Sequence, residues 1–105
     1  MEKVEVKVDW ETDLGDRSYW LRFTGEEIDQ HQIGPIDTTL YQDYTGGYRV
    51  YKVDEKNNSY GRLFPEGLIN QQTGFPTYNS RYTAAEIVKY YPHFAETLGE
   101  AIDID

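Results

Sequence analysis

Val4, Val6 and Val8 alternate with Glu5, Lys7 and Asp9 along the stretch Glu2–Trp10, and a strict period of two marks a strand with one face on a core and the other in water. Ser18–Phe23 repeats the pattern, with Tyr19, Leu21 and Phe23 on one side and Trp20 and Arg22 on the other. The polar segment Glu11–Asp16 between them carries Gly15, so the two strands are expected to form a hairpin with a longer loop. Thr24 precedes Glu27 by three residues, the spacing of a capping box, which predicts a short helix ending near Gln30 or Gln32 and closed off by Gly34-Pro35.

From Thr38 to Phe64 the pattern predicts a three-stranded antiparallel meander. Gly46-Gly47 lies between two runs rich in strand formers, and two glycines can take the positive φ angles of a type I′ turn. That turn sets Thr45 opposite Tyr48, Tyr44 opposite Arg49, Gln42 opposite Tyr51 and Leu40 opposite Val53. The expected core face then carries Leu40, Val53, Tyr51 and Tyr44, and Tyr41, Tyr48 and Val50 share the other face with charges. Asp54–Ser59 is a turn by composition, Tyr60–Phe64 returns as a short strand, and Pro65 closes it because proline donates nothing to a ladder.

Glu66–Arg81 has no period and reads as a long loop with an edge strand near Leu68 and Ile69. Beyond it the period changes to that of a helix. Thr83 and Glu86 form a second capping box, followed by an apolar stripe of Ala85, Val88 and Tyr91 or of Ala84, Ile87 and Tyr91. Pro92 ends or kinks this helix and can open another, in which Phe94, Leu98 and Ala101 or Ile102 give the apolar face. Gly99 is expected to weaken that second helix by about 1 kcal/mol relative to alanine.

Charge changes this picture more than overall composition does. The net charge is −9, made of −6 over residues 1–37, +1 over 38–90 and −4 over 91–105. Acidic ends around a balanced middle disfavour nucleic acid and anionic membranes and favour a basic partner. Ten tyrosines, a residue suited to interfaces as well as to strands, point the same way. The chain has no cysteine, no apolar run long enough for a membrane span, and no apolar stretch of the signal-peptide kind in MEKVEVKV, so a cytoplasmic protein is expected.

Candidate chemistry is sparse. His93-x-x-Glu96 has the spacing of paired metal ligands on one helix face, but a site needs further ligands, and Asp29-x-His31 sits on an irregular segment. Nucleophile elbows, Ser-x-x-Lys pairs and phosphate-cradling loops are missing from the sequence. Asn57-Asn58-Ser59 matches a glycosylation acceptor but reads more simply as part of a turn. No catalytic residue, metal ligand or cofactor is therefore assigned.

Near its end the chain reads Glu100-Ala101-Ile102-Asp103-Ile104, which resembles the terminal Glu-x-Leu-Asp-Ile signature of the prokaryotic EXLDI proteins, with isoleucine in place of leucine. The similarity extends loosely to Arg22–Gly25, Tyr48–Tyr51 and the Thr83–Pro92 helix. It implies a prokaryotic cytoplasmic origin and adds no catalytic residue. Members often carry an added DNA-binding-like segment at the N-terminus, whereas this chain starts directly with a strand.

The pattern as a whole predicts one α+β domain over residues 1–105: four or five mostly antiparallel strands with a C-terminal helical pair packed on one face. The expected function is a non-enzymatic, acidic protein-binding module. Its docking carboxylates include Glu26, Glu27 and Asp29, and one form of it is an inhibitor of a nuclease or DNA-binding protein, of the immunity, anti-restriction or anti-CRISPR type. The alternative is a sheet that binds a small molecule or nucleotide through Tyr41, Tyr48, Trp20 and Arg49.

Overall fold

The computed structural model describes residues 1–12, 15–57 and 60–105. Its elements are β1 (Glu2–Thr12), β2 (Gly15–Ile33), β3 (Ile36–Asp43), β4 (Tyr48–Asp54), β5 (Tyr60–Phe64), α1 (Ala84–Tyr90) and α2 (Ala95–Leu98). Five mostly antiparallel strands followed by a C-terminal helical pair make it an α+β domain, as the pattern predicts. Asp13 and Leu14 of the expected first loop, and Asn58 and Ser59 of the expected turn and acceptor triplet, lie outside the described residues.

The sheet does not stay open; it closes into a barrel in the order β1-β2-β3-β4-β5. In an up-and-down meander with an odd number of strands the first and last run the same way, so closure requires a parallel seam. That seam is the pairing of Val8 with Gly61. The Tyr51 ring lies over Gly61, where an added Cβ would come within 2.2 Å of it, and its hydroxyl donates to the Lys7 carbonyl. One side chain on β4 thus reaches past β5 to hold β1.

Val4, Val6 and Val8 pair with Phe23, Leu21 and Tyr19, so the two alternating faces predicted for β1 and β2 meet inside the barrel. Leu63 completes the buried set, with Tyr41, Tyr51 and Tyr78 packed against it. Trp20 points the other way and is 67% exposed.

β2 continues to Ile33, and the helix expected from Thr24 does not form. Ile28 gives this segment a single half-buried apolar side chain for a helical face, whereas as a strand it pairs with β3 from Gly25↔Asp43 to Ile33↔Ile36, interrupted only at Ile28. Long-range pairing overrides the local capping-box spacing.

The β3–β4 register also departs from expectation. Gln42, rather than Thr45, faces Tyr48, so Leu40 lies opposite Val50 and Tyr41 opposite Arg49. Such a slip by an odd number of residues exchanges the faces. Leu40 and Val50 point outward under the helices, Tyr41 and Tyr51 point into the barrel, and Tyr44 is left at the hairpin tip, 64% exposed. Gly46 has a positive φ of 88°, but Gly47 is not among the positive-φ glycines, so a type I′ turn is not made.

Asp43 sets the longer loop instead. Its Oδ1 accepts from the Thr45 amide and hydroxyl at 3.0 Å, and its Oδ2 accepts from Arg49 Nε at 3.1 Å. Arg81 Nε comes within 2.8 Å of the same oxygen, with its N–H turned off the line to it, so this contact is an ion pair rather than a hydrogen bond. Burial by itself would raise the Asp43 pKa; the hydrogen bonds from Thr45 and Arg49 and the Arg81 guanidinium beside it outweigh it and hold the carboxyl below its usual range.

The second core lies outside the barrel. Leu40 and Val50 meet Ile87 of α1 and Phe94, all four with 0% exposure, with Ile28, Tyr82, Tyr91 and Leu98 around them. The Thr83–Glu86 capping box forms in both directions. Pro92 opens a single 3-10 turn, Pro92–Phe94, leading into α2. Gly99 takes the left-handed conformation at φ 64°, so it ends α2 instead of weakening its interior.

The long segment before α1 is a folded excursion. Backbone bonds join Gly67 and Leu68 to Thr77, and Asn70 to Phe75 and Gly74. The edge strand expected near Leu68 and Ile69 is reduced to one bridge, Ile69↔Pro76. Phe75 meets Tyr19 edge-on at 5.1 Å, which lays the excursion against the end of the β1–β2 hairpin.

Candidate functional site

Along β2 the alternation of faces is broken once. Glu27 pairs with Tyr41 and Asp29 with Leu40, so Ile28 is the extra residue of a β-bulge. A bulge re-aims the side chains that follow it. Here Ile28 and Asp29 both come to lie beneath the C-terminal helical segment, the first against its apolar core and the second on a polar seam.

The Asp29 carboxylate accepts from the Gln30 amide at 2.8 Å, from His31 Nε2 at 3.1 Å, and from the Thr97 hydroxyl of α2. Burial would raise its pKa, but the bonds from Thr97 and Gln30 and the neighbouring imidazole outweigh it and hold the carboxyl below its usual range. Thr38 Oγ1 donates to the His31 carbonyl at 3.3 Å, which leaves its oxygen to accept from His93 Nε2 at 2.8 Å. The two imidazoles meet edge-on at 5.3 Å, and both contact the Phe94 ring. Burial, then the nearby His31, push the His93 pKa down, against the pull of Asp29. The Asp29-x-His31 pair and His93 are therefore one cluster. No sequence spacing joins them, because the bulge and the helix docking bring them together.

This seam ties Thr97, which lies next to Glu96 and close to Glu100 in sequence, to Asp29, which follows Glu26 and Glu27. Beside it, where β1 begins opposite Gly25, an open groove of about 630 Å³ is lined by Met1, Glu2, Val4, Glu26, Glu27 and Tyr41. Among the described residues no ion pair or hydrogen bond engages the Glu26 or Glu27 side chain, and both residues are exposed. Burial first, and then the negative charge of Glu27, push the Tyr41 pKa up, as expected of a ring set into the wall of an acidic groove. From Phe23 to Tyr48 the chain holds five carboxylates and no lysine or arginine.

Of the residues that the sequence offered for binding, Glu26, Glu27 and Tyr41 share the groove, and Asp29 stands one bulge further along the same strand. The other three lie elsewhere. Tyr48 packs toward the helices and bridges to Tyr82. Trp20 is on the outer face of the β1–β2 hairpin. Arg49 is 3% exposed, stacked over Phe23 at 5.4 Å, and donates to Asp43 and to the Tyr78 carbonyl. The combination of Tyr41, Tyr48, Trp20 and Arg49 therefore offers no common surface to a small molecule, because the observed register turns Tyr41 and Arg49 inward. Arg49 and Arg81 serve Asp43, and Arg62 grips Glu66 with two bonds of 2.7 Å.

Among the described residues no three His, Cys, Asp or Glu side chains are gathered to hold a metal ion, and no helix is long and apolar enough to cross a membrane. Comparison with protein-family models, with curated proteins and with solved structures returns no match.

Proposed function

We propose that this chain is a non-enzymatic protein-binding module whose acidic face, the second half of β2 with the groove at its start, docks a basic partner protein. The observation that carries this reading is the run of carboxylates from Phe23 to Tyr48 without a lysine or arginine, built on a strand whose bulge is clasped to α2 through Asp29 and Thr97. A field of one sign speeds the encounter with an oppositely charged surface and fades as salt screens it over about 10 Å at 0.1 M. Occlusion of the basic cleft of a nuclease or DNA-binding protein is the specific form we favour, in a cytoplasmic setting. A relation to the EXLDI proteins, resting on Glu100–Ile104, belongs to the same proposal.

His31 and His93 each give Nε2 to a partner within the seam, which ties the second half of β2 to the helical segment. The test is affinity capture from a cell lysate at 50 and 300 mM salt, with the wild type beside the double variant Glu26→Gln/Glu27→Gln. Both positions are exposed, so the variant is expected to fold as the wild type does. A basic protein held by the wild type at low salt, and lost with either the variant or the higher salt, supports the proposal. Capture that is equal for the two forms, or confined to acidic proteins, overturns it.

A further inference from the structure

β1 begins its pairing at Glu2 opposite Gly25, so from Glu26 to Ile33 the strand β2 is paired with β3 alone among the described residues. A strand edge of this kind presents backbone donors and acceptors spaced for another strand, here with the Gln30 amide already turned to the Asp29 carboxylate. Edges are commonly guarded by lysine, by proline or by a bulge. Here the bulge lies at Ile28, at the near end, and the run Asp29–Ile33 beyond it pairs regularly with β3.

The charge on this edge narrows what can occupy it. Glu2, Glu26, Glu27 and Asp29 line or flank it, and Asp37 stands opposite Gln32 on β3, with no lysine or arginine on either strand of the extension. A second copy of the same edge would set carboxylates against carboxylates, which like-charge pairing across strands disfavours. Nucleic acid is repelled on the same ground. An extended segment bearing lysine or arginine at alternate positions satisfies the backbone and the carboxylates together, and its first basic side chain can enter the groove over the Tyr41 ring, where cation–π attraction adds to charge.

We infer that Glu26–Ile33 is a site of strand addition, and that its occupant is an extended basic segment of a protein partner. This rests on the functional reading above and specifies how the partner is held. Binding is measured by fluorescence anisotropy at 50 mM salt with three dye-labelled eight-residue peptides of alternating lysine and threonine. One is unmodified, one is N-methylated at alternate backbone nitrogens along one edge, and one is N-methylated along the other edge. A glutamate–threonine peptide serves as the charge control.

The inference expects the unmodified peptide to bind, one methylated edge to weaken binding at least about tenfold through the loss of several backbone bonds, and the other to leave it nearly unchanged. Equal affinity for all three lysine peptides overturns strand addition while leaving the basic-partner reading intact. No preference for lysine over glutamate peptides overturns both. Self-association of the protein through this edge, seen as loss of amide exchange at Glu26–Ile33 with rising protein concentration and no peptide present, also overturns the inference.

Discussion

Replacing Asp43 by Asn removes one charge and almost no volume from a site where two guanidinium groups converge. Asp43 is 0% exposed, Arg49 is 3% exposed, and the Arg81 side chain is 22% exposed. The cluster already carries one more positive charge than negative, and Arg49 Nη1 has no hydrogen-bond partner in it. Without the carboxylate the Arg49 charge stays buried against Phe23 with the Tyr78 carbonyl, the neutral amide and the like-charged Arg81 near it. Breaking a buried pair by removing one partner costs about 3–5 kcal/mol. For a domain of this size each kcal/mol moves the melting temperature by about 4–8 °C, so a fall of roughly 12–40 °C is expected. Asn can still accept from Thr45, so the loss reports charge more than loop geometry.

Thermal unfolding followed by circular dichroism measures the fall, and the double variant Asp43→Asn/Arg49→Met identifies its cause. Removing the stranded guanidinium should restore part of the stability, because an apolar side chain of similar length replaces an uncompensated charge. pH supplies a second arm. The folded Asp43 pKa is lowered, so its stabilisation is fully present above the unfolded value of about 4 and is lost as pH falls through the lower folded value. In Asp43→Asn that part of the acid dependence disappears. A loss below about 1 kcal/mol for Asp43→Asn, or a further loss when Arg49→Met is added, would refute the reasoning.

The other predictions concern packing and the polar seam. Phe94→Ala should cost about 3–5 kcal/mol by chemical denaturation, since the ring is wholly buried between helix and sheet, whereas Trp20→Ala should stay within about 0.5 kcal/mol. Gly25→Ala sets a Cβ 2.6 Å from the Gln42 carbonyl oxygen, a backbone atom that cannot swing away, and should destabilise by about 1–3 kcal/mol, with faster amide exchange in β3. The folded His93 pKa is depressed, so its contribution is present above the unfolded value of about 6.5 and is lost as pH falls from there toward the folded value. Amide protection factors across residues 92–98, which correct for the intrinsic slowing of exchange as pH falls, should therefore drop between pH 7 and pH 5, and the drop should flatten in His93→Asn.

β1, β5 and α1 were legible because each is specified locally: alternation for β1, a turn cluster and Pro65 bounding β5, and a reciprocal cap for the helix. The second half of β2 was not, because Thr24 and Glu27 mimic a cap and only pairing with β3 overrules them. Nor was the β3–β4 register, since Gly46-Gly47 resembles a two-residue turn while the loop is set by Asp43 and by Arg81, 38 positions later in the chain. Barrel closure rests on Val8 meeting Gly61, a contact with no local trace. Glu26, Glu27 and Tyr41 reach a common groove through that folding, and Asp29 meets His93 only because a bulge turns it. One signal was open to inspection from the outset: a stretch from Phe23 to Tyr48 with acids and no lysine or arginine, now seen to be the extended hairpin.

The central claim is that basic protein surface is met on the β2 extension and not elsewhere on the barrel. The most direct measurement is a titration of the isotopically labelled protein with the lysine–threonine peptide, followed by backbone amide chemical shifts at 50 mM salt. The account predicts that the largest changes fall on Glu2 and on Glu26 to Ile33 and vanish at 300 mM salt. Changes centred on Trp20 or Tyr48, or shifts spread evenly over the carboxylates of the chain, would contradict it.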